Sequence, residues 1–433
     1  MRSITKCLIS TGLCLASTVV PAADSLSLQQ VIELAQTHDP WLNGNSWRQQ
    51  ALEAHSVAAG SLPDPQVSID LLNLPTDTFN FNQEPMTQFK VSVSQMFPRG
   101  DSLALREKQL QLQSAQHPFQ RQDRRAKVAV KVAHLWLDAW QARETISLIE
   151  ENRTLFEHLV DVAEAGYSAT LGRTRQQDII RAQLELTRLE DRMTVLNTQF
   201  DTAIAQLGEW LQADTPRFKL AAVLPEIELI HSLDQREQAE IIRRLAKHPM
   251  IISLENKISA SRTGINLAKQ KYKPQWGVNA GYAYRDDAPM GESRADFFSV
   301  GVTFDVPLFT DKRQDKAVQS AVANTEAVKT EKWLALRNML AKFETAQARF
   351  KRLEQRQSLY QSQLLNQMHE QAEASLTAYT NDDGDFSEVV RARIAELNTL
   401  IDALNIDIER LKTIAELNYF LTASSNEIAG EQP

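Results

Sequence analysis

The chain is written twice. Pro40, Pro65 and Pro98 recur 209 residues later as Pro249, Pro274 and Pro307, and the text around them recurs too. Phe89-Lys-Val-Ser-Val runs on to Met96-Phe97-Pro98, and Phe298-Ser-Val-Gly-Val runs on to Asp305-Val306-Pro307. At an offset of 210, Asp178-Ile-Ile-Arg-Ala-Gln matches Glu388-Val-Val-Arg-Ala-Arg, and Ile204-Ala-Gln-Leu207 matches Ile414-Ala-Glu-Leu417. A repeat of this length predicts two copies of one structural unit, each supplying the same elements to a larger symmetric object. It overrides the two or three independent globular domains that length alone suggests.

The N-terminus reads as a secretory leader over residues 1–23. Arg2 and Lys6 precede an apolar run from Cys7 to Val20, and Ala22-Ala23 offers a cleavage site. The run is too short to span about 30 Å of hydrocarbon. Cys7 and Cys14 are the only cysteines and both lie in this leader, so the mature chain is expected to hold no disulfide, thiolate metal site or cysteine nucleophile. Leu13 before Cys14 is a poor lipidation context, which predicts no lipid anchor. Losing Arg2 and Lys6 takes the formal charge from −8 to −10, and the charge is spread along the chain rather than gathered into a basic face. That pattern argues against nucleic acid as a partner.

Each copy, 24–212 and 236–421, opens with a short helix (28 to 37, then 241 to 247) and continues with a second (41 to 60, then 250 to 271). The apolar period then switches to two. Val67, Ile69 and Leu71 alternate with polar residues, as do Phe89, Val91 and Val93; Trp276 to Tyr284 and Phe298 to Val306 alternate more cleanly still. Strands are predicted at about 66–74, 88–97, 275–285 and 297–306. Their length suits strands tilted across a bilayer. Gly277, Gly281 and Gly301 suit a tightly curved inner wall, and Trp276, Tyr282, Tyr284 and Phe304 are placed to form aromatic girdles. The loops 75–87 and 285–296 are polar.

A helix of roughly 100 Å is expected after each strand pair. The first, from 101 to about 164, breaks only at His117-Pro118; the second, from 312 to 378, is unbroken. Gly384 is the only glycine between Gly301 and Gly430, so the second helix is predicted to reverse at 379–385 and return from 386 to 421. The first reverses at 166–172, and its return arm carries Ala182, Leu186, Leu189, Met193, Leu196, Phe200, Ala203, Leu207 and Trp210 in a 4,3 spacing that marks a coiled-coil seam. Residues 213–235 read as a connecting segment and 422–433 as a polar, disordered tail.

Four strands cannot close a barrel, because an open edge in lipid leaves backbone groups unsatisfied. A cyclic trimer gives 12 strands continued by a cylinder of long helices. The expected fold class is therefore mainly α with membrane β: duplicated long helical hairpins plus four transmembrane strands per chain, trimerising into a 12-stranded β-barrel continued by a periplasmic α-helical barrel.

The sequence resembles the TolC family of outer-membrane efflux channels over about residues 25–421. The resemblance is carried by Leu28-Gln-Gln-Val-Ile-Glu-Leu-Ala35 with Asp39-Pro40, Leu62-Pro-Asp-Pro-Gln66, Tyr272-Lys-Pro-Gln275, Pro98, Val306-Pro-Leu-Phe309 and the tip sequence 167–183. It implies a homotrimer in outer-membrane lipid, a periplasmic adaptor and an inner-membrane pump of the resistance-nodulation-division type. The pump supplies the energy, since no phosphate-binding loop occurs here. Leu62-Pro-Asp-Pro, Asn73-Leu-Pro75, Gln83-Glu-Pro-Met86 and Gln95-Met-Phe-Pro-Arg-Gly100 look most like channels paired with copper/silver or cobalt/zinc/cadmium exporters. The chain departs from those copper/silver channels that carry an N-terminal lipid.

The candidate functional residues lie at the two turns. Asp382, Asp383, Asp385 and Glu388 cluster at one, and Arg173, Arg175 and Asp178 at the other; three-fold symmetry would turn each into a ring at the periplasmic mouth. They are expected to form a closed entrance, with Tyr167, Gly172, Tyr379 and Gly384 shaping the turns and the adaptor contact. The competing reading is a solvated turn in which Asp, Asn and Gly serve conformation and capping. The eight histidines show no ligand spacing, so no metal site and no cofactor are expected. No nucleophile elbow, zinc helix or paired-carboxylate context marks an enzyme. Multidrug efflux and type I secretion channels share the expected fold, and a periplasmic structural coiled coil or adaptor would share the heptads but not the duplicated strands.

Overall fold

The computed structural model describes residues 25–168, 175–211, 219–230, 238–381 and 383–423. The leader, the tail beyond 423, parts of the connecting segment, and Gly172, Arg173 and Asp382 lie outside the described residues.

The first repeat opens with a two-residue strand β1 (Ser25–Leu26), then α1 (Leu28–His38) and α2 (Pro40–Gly60). Ser27 and Gln30 close a capping box at the start of α1. Of the repeated prolines, Pro40 and Pro249 each open a helix, where a missing N–H costs nothing, while Pro65, Pro98, Pro274 and Pro307 flank the strands. Before Pro40, Asp39 accepts from the Trp41 N–H at 3.0 Å, and before Pro249, His248 Nδ1 accepts from the Met250 N–H at 3.2 Å. The two copies thus solve one capping problem with different side chains.

After β2 (Gln66–Leu72) and β3 (Gln88–Phe97) come α3 (Ser102–Ser114), α4 (His117–Ser168) and α5 (Gln176–Gly208). The expected break at His117-Pro118 falls just before that pair, which starts α4. The expected turn from Gly166 begins later than the sequence indicates, because α4 continues to Ser168. A single helical glycine costs only about 1 kcal/mol and packing outweighs it.

The connecting segment contains β4 (Lys219–Leu220), paired in parallel with β1. Arg143 secures it by donating to the Leu220 and Ala221 carbonyls, each at 3.1 Å. The second repeat follows with α6 (Gln238–Ala246), α7 (Pro249–Lys269), β5 (Trp276–Tyr284), β6 (Phe297–Phe304), α8 (Gln314–Leu359), α9 (Leu365–Thr380) and α10 (Phe386–Leu421). The helix runs without a break from Gln314 to Thr380, with one π-turn at Tyr360–Leu364 where α8 passes into α9. From Ser102 to Ser168 and from Gln314 to Thr380 the chain advances by the same number of residues, about 100 Å of helix at 1.5 Å per residue.

Three apolar clusters hold the helices side by side. One joins α1, α4, the end of α5 and α10 around Trp136, Leu207 and Ile408. A second lies toward the hairpin tips around Ile149, Phe156, Leu189, Phe386 and Leu397. A third seats Leu245 and Ile251 against Phe343 and Leu417. Each large side chain sealed in this way contributes roughly 1.5–3 kcal/mol. The coiled-coil reading of α5 holds in part: Ala182, Leu189, Ala203 and Leu207 are buried, and Leu186, Met193, Leu196 and Phe200 half-buried. Among the described residues no helix is long and apolar enough to cross a membrane.

Candidate functional site

The four long strands form one antiparallel sheet in the order β2-β3-β5-β6, so the strand pairs of the two repeats meet at its centre. Register sorts the side chains by face. Ile69, Val91, Tyr282 and Phe298 form one cross-strand row, and Val67, Val93, Ala280 and Val300 the next. The intervening rows read Ser68, Ser92, Gly281, Ser299 and Gln66, Ser94, Asn279, Gly301. One face is therefore apolar apart from Gln95, and the other carries mostly polar and small residues over these central rows.

No described residue outside the sheet covers the apolar face. Ile69 is 67% exposed, Val300 65% and Phe298 74%. A half-buried sheet in a soluble domain would pack this face on a core, and here the core lies elsewhere, between the helices. Aromatic side chains collect at the ends of the band. Trp276 and Phe304 sit with ring centroids 4.9 Å apart at the end next to the helices, and Tyr284 stacks on Phe81 at 6.2 Å at the other. On the polar face Ser68 and Ser92 are 2.7 Å apart, and Lys90 lies across Gly281, where an added Cβ would meet its Cε at 3.0 Å. The outer edges of β2 and β6 have no strand partner among the described residues.

The two loops beyond the sheet are tied together. Arg294 donates to the carbonyls of Asn82 at 3.3 Å and Glu84 at 3.2 Å, and Arg285 donates to the Pro85 carbonyl at 3.3 Å.

At the opposite end of the molecule the hairpin tips pack against each other through Ala163, Ala182, Phe386, Val389 and Val390. Much of the tip chemistry is structural. Asp385 caps α10, accepting from the Ser387 N–H at 3.1 Å, and Asp178 is buried, accepting from the Arg175 N–H at 2.9 Å. Glu388 pairs with Arg391 at 2.5 Å on the surface, and Asp383 is exposed, its N–H donating to the Ala378 carbonyl at 2.9 Å. Tyr379 meets Phe386 edge-on at 5.6 Å, and Tyr167 is exposed in the last turn of α4. At Gly384 an added Cβ would lie 2.7 Å from the Tyr379 nitrogen, so the turn closes only around a glycine.

One tip residue was not singled out from the sequence. Arg393, buried on α10, reaches Glu373 on α9 at 2.5 Å and Glu396 at 2.9 Å; Glu396 also meets His369 at 2.7 Å. Burial alone would lower the pKa of Arg393, but the two carboxylates outweigh it and raise it. The Arg393 hydrogen bond in turn lowers the pKa of Glu373. The only sequence signal is a cation on the buried face of a helix, which becomes meaningful once the hairpin brings Glu373 opposite. Among the described residues no group of His, Cys, Asp and Glu is arranged to hold a metal ion.

No protein-family model matches the sequence, and no curated protein matches it. Solved structures do match. VceC, an outer-membrane protein of Vibrio cholerae, superposes with a TM-score of 0.74 at 14% identity over 92% of this chain and 96% of its own. The chain has the fold of an outer-membrane channel. CusC, which forms a transmembrane channel, gives a TM-score of 0.76 at 14% identity, covering 92% of both chains. The open-state outer-membrane channel MtrE of Neisseria gonorrhoeae gives 0.73 at 14% identity over 91% of this chain and 88% of its own. The extent of these superpositions shows that the shared fold includes both the sheet and the helical hairpins.

Proposed function

We propose that this protein is the outer-membrane channel of a tripartite efflux system of the TolC type. The observation that carries this reading is the sheet: an uncovered apolar face, a polar opposite face and two unpartnered edges. Lipid satisfies the first, a water-filled lumen the second, and neighbouring copies of the chain the third. Three copies give 12 strands and a periplasmic helical tube, which receives cargo from an inner-membrane pump of the resistance-nodulation-division type through a periplasmic adaptor. The uncovered apolar face speaks against a soluble coiled-coil or adaptor role. The protein acts as a passive duct, with neither catalytic residues nor cofactor.

The residue resemblance in 62–100 supports heavy-metal cations as the cargo. Deleting the gene and challenging cells with copper, silver, zinc, cadmium and cobalt salts beside dyes, detergents and antibiotics tests it. Metal sensitivity rescued by the gene is expected; sensitivity limited to organic compounds would overturn the metal assignment and keep the channel.

In this reading the tips serve as the periplasmic entrance, with the sequence-named Asp382, Asp383, Asp385 and Glu388 of one hairpin and Arg173, Arg175 and Asp178 of the other as its charged groups, and Tyr167, Gly172, Tyr379 and Gly384 as the turn residues that an adaptor would engage. Replacing Asp382 and Asp383 by Ala should raise conductance or lower cation selectivity in planar bilayers, and unchanged currents would count against an acidic gate. Asp385 is left intact in that test because it caps α10.

A further inference from the structure

One cleft in the helical wall is lined by two cations, Arg106 and Lys271, without a matching carboxylate. It lies where α3, α7 and α8 meet the sheet, has a volume of about 610 Å³, and is bounded by Arg99, Ser102, Arg106, Lys271 and Asn324; no Asp or Glu lines it. Arg99 is already engaged, pairing with Asp305 and donating to the Lys273 carbonyl at 2.7 Å. Arg106 and Lys271 are exposed and have no ion-pair partner among the described residues. In a chain of net charge −8 this is a local excess of the opposite sign.

Two further features favour an anion there. Ser102 and Leu103 of the first turn of α3 border the cleft; the Ser102 N–H is taken by the Arg99 carbonyl at 3.0 Å, and the positive end of the helix dipole still faces this side. The adjacent Asp101 makes no side-chain cap, its carboxylate lying 3.0 Å from Lys273 instead. Pro98 and Gln275 at its border lie just beyond the ends of β3 and β5, next to Met96 and Gly277 of the polar rows.

We propose that this cleft binds a dissolved anionic group, a carboxylate or phosphate. Granted the channel reading above, it is a station through which cargo passes. Three copies would set the cations in a ring on the lumen side, concentrating anions there and opposing bare cations. Metal cargo would then cross the junction as an anionic complex.

The test is isothermal titration of the full-length, detergent-solubilised protein with inorganic tripolyphosphate at about 0.1 M salt, where surface charges are partly screened. Saturable binding of one anion per chain is expected. In the Arg106→Gln/Lys271→Gln variant it should weaken at least about tenfold, with an unchanged melting temperature. Absence of saturable binding, or equal affinity in the variant, overturns the proposal. So does displacement by phosphatidylglycerol micelles, which would assign the cations to lipid headgroups. Bilayer conductance of the same preparation separates the two readings. Conductance without tripolyphosphate binding removes the site and leaves the channel. Binding without conductance keeps the site and removes the channel.

Discussion

His248 shows how one side chain can set a pH response. Its ring is fully buried, Nδ1 accepts from the Met250 N–H, and the proton on Nε2 is donated to the Tyr419 carbonyl at 3.0 Å. A second proton has to displace the cap. Burial holds the pKa below the ordinary histidine value, with Asp123 opposing and Lys127 adding to the shift. His134 and His117 are lowered for the same reason. Because the unfolded ring titrates near about 6.5, this stability is complete above that pH and is lost as pH falls from there toward the folded value. Thermal unfolding followed by circular dichroism should therefore show a lower midpoint at pH 5.5 than at pH 7.5. His248→Asn, which keeps a capping side chain, should cost roughly 1–3 kcal/mol at pH 7.5 but show a smaller loss on acidification. An equal loss in both proteins would exclude His248 as a contributor. The sequence revealed His248 only as the residue before a repeated proline. Its burial and its tautomer depend on Tyr419, 171 residues away.

Among the elements, the sheet is where register matters most. Lysine at position 69 would lie in the middle of the apolar face and should cost about 2–4 kcal/mol per chain if that face meets lipid. Ser94→Lys, on the polar face, should cost little. Urea-resistant membrane association of Ile69→Lys, Ser94→Lys and the parent protein measures the contrast, and equal association would mean that the apolar face is not in lipid. The strands were readable because a period of two survives in any environment, and α10 begins at Phe386 and ends at Leu421 as its flanking residues indicate. Other elements left no such mark. The pairing of β1 with β4 involves two residues on each side and is fixed by Arg143, and a π-turn has no composition of its own. The Arg393 cluster was hidden because its partners belong to both arms of a hairpin.

For the whole molecule the open edges of the sheet decide the assembly. Ser68 and Ser299 belong to the same polar row but to opposite edges, three strand spacings or about 14 Å apart, too far for a disulfide within one chain. The only natural cysteines are Cys7 and Cys14 in the expected leader, so engineered thiols report cleanly. Ser68→Cys combined in turn with cysteine at 299, 301 or 303 should, on oxidation in membranes, give a ladder that stops at three chains. A ladder ending at two would rule out the 12-stranded barrel.

The pairing of β3 with β5 joins one half of the duplication to the other inside a single chain. A ring of six unlinked hairpins would have to form all six of its seams by collision. In the proposed trimer every second seam would close at the high effective concentration that a covalent tether provides, leaving three encounters instead of six. Duplication has in this sense moved half of the assembly problem into folding. It has also released the two halves from being identical, so that Asp39 and His248 can occupy equivalent caps and only one copy carries the π-turn.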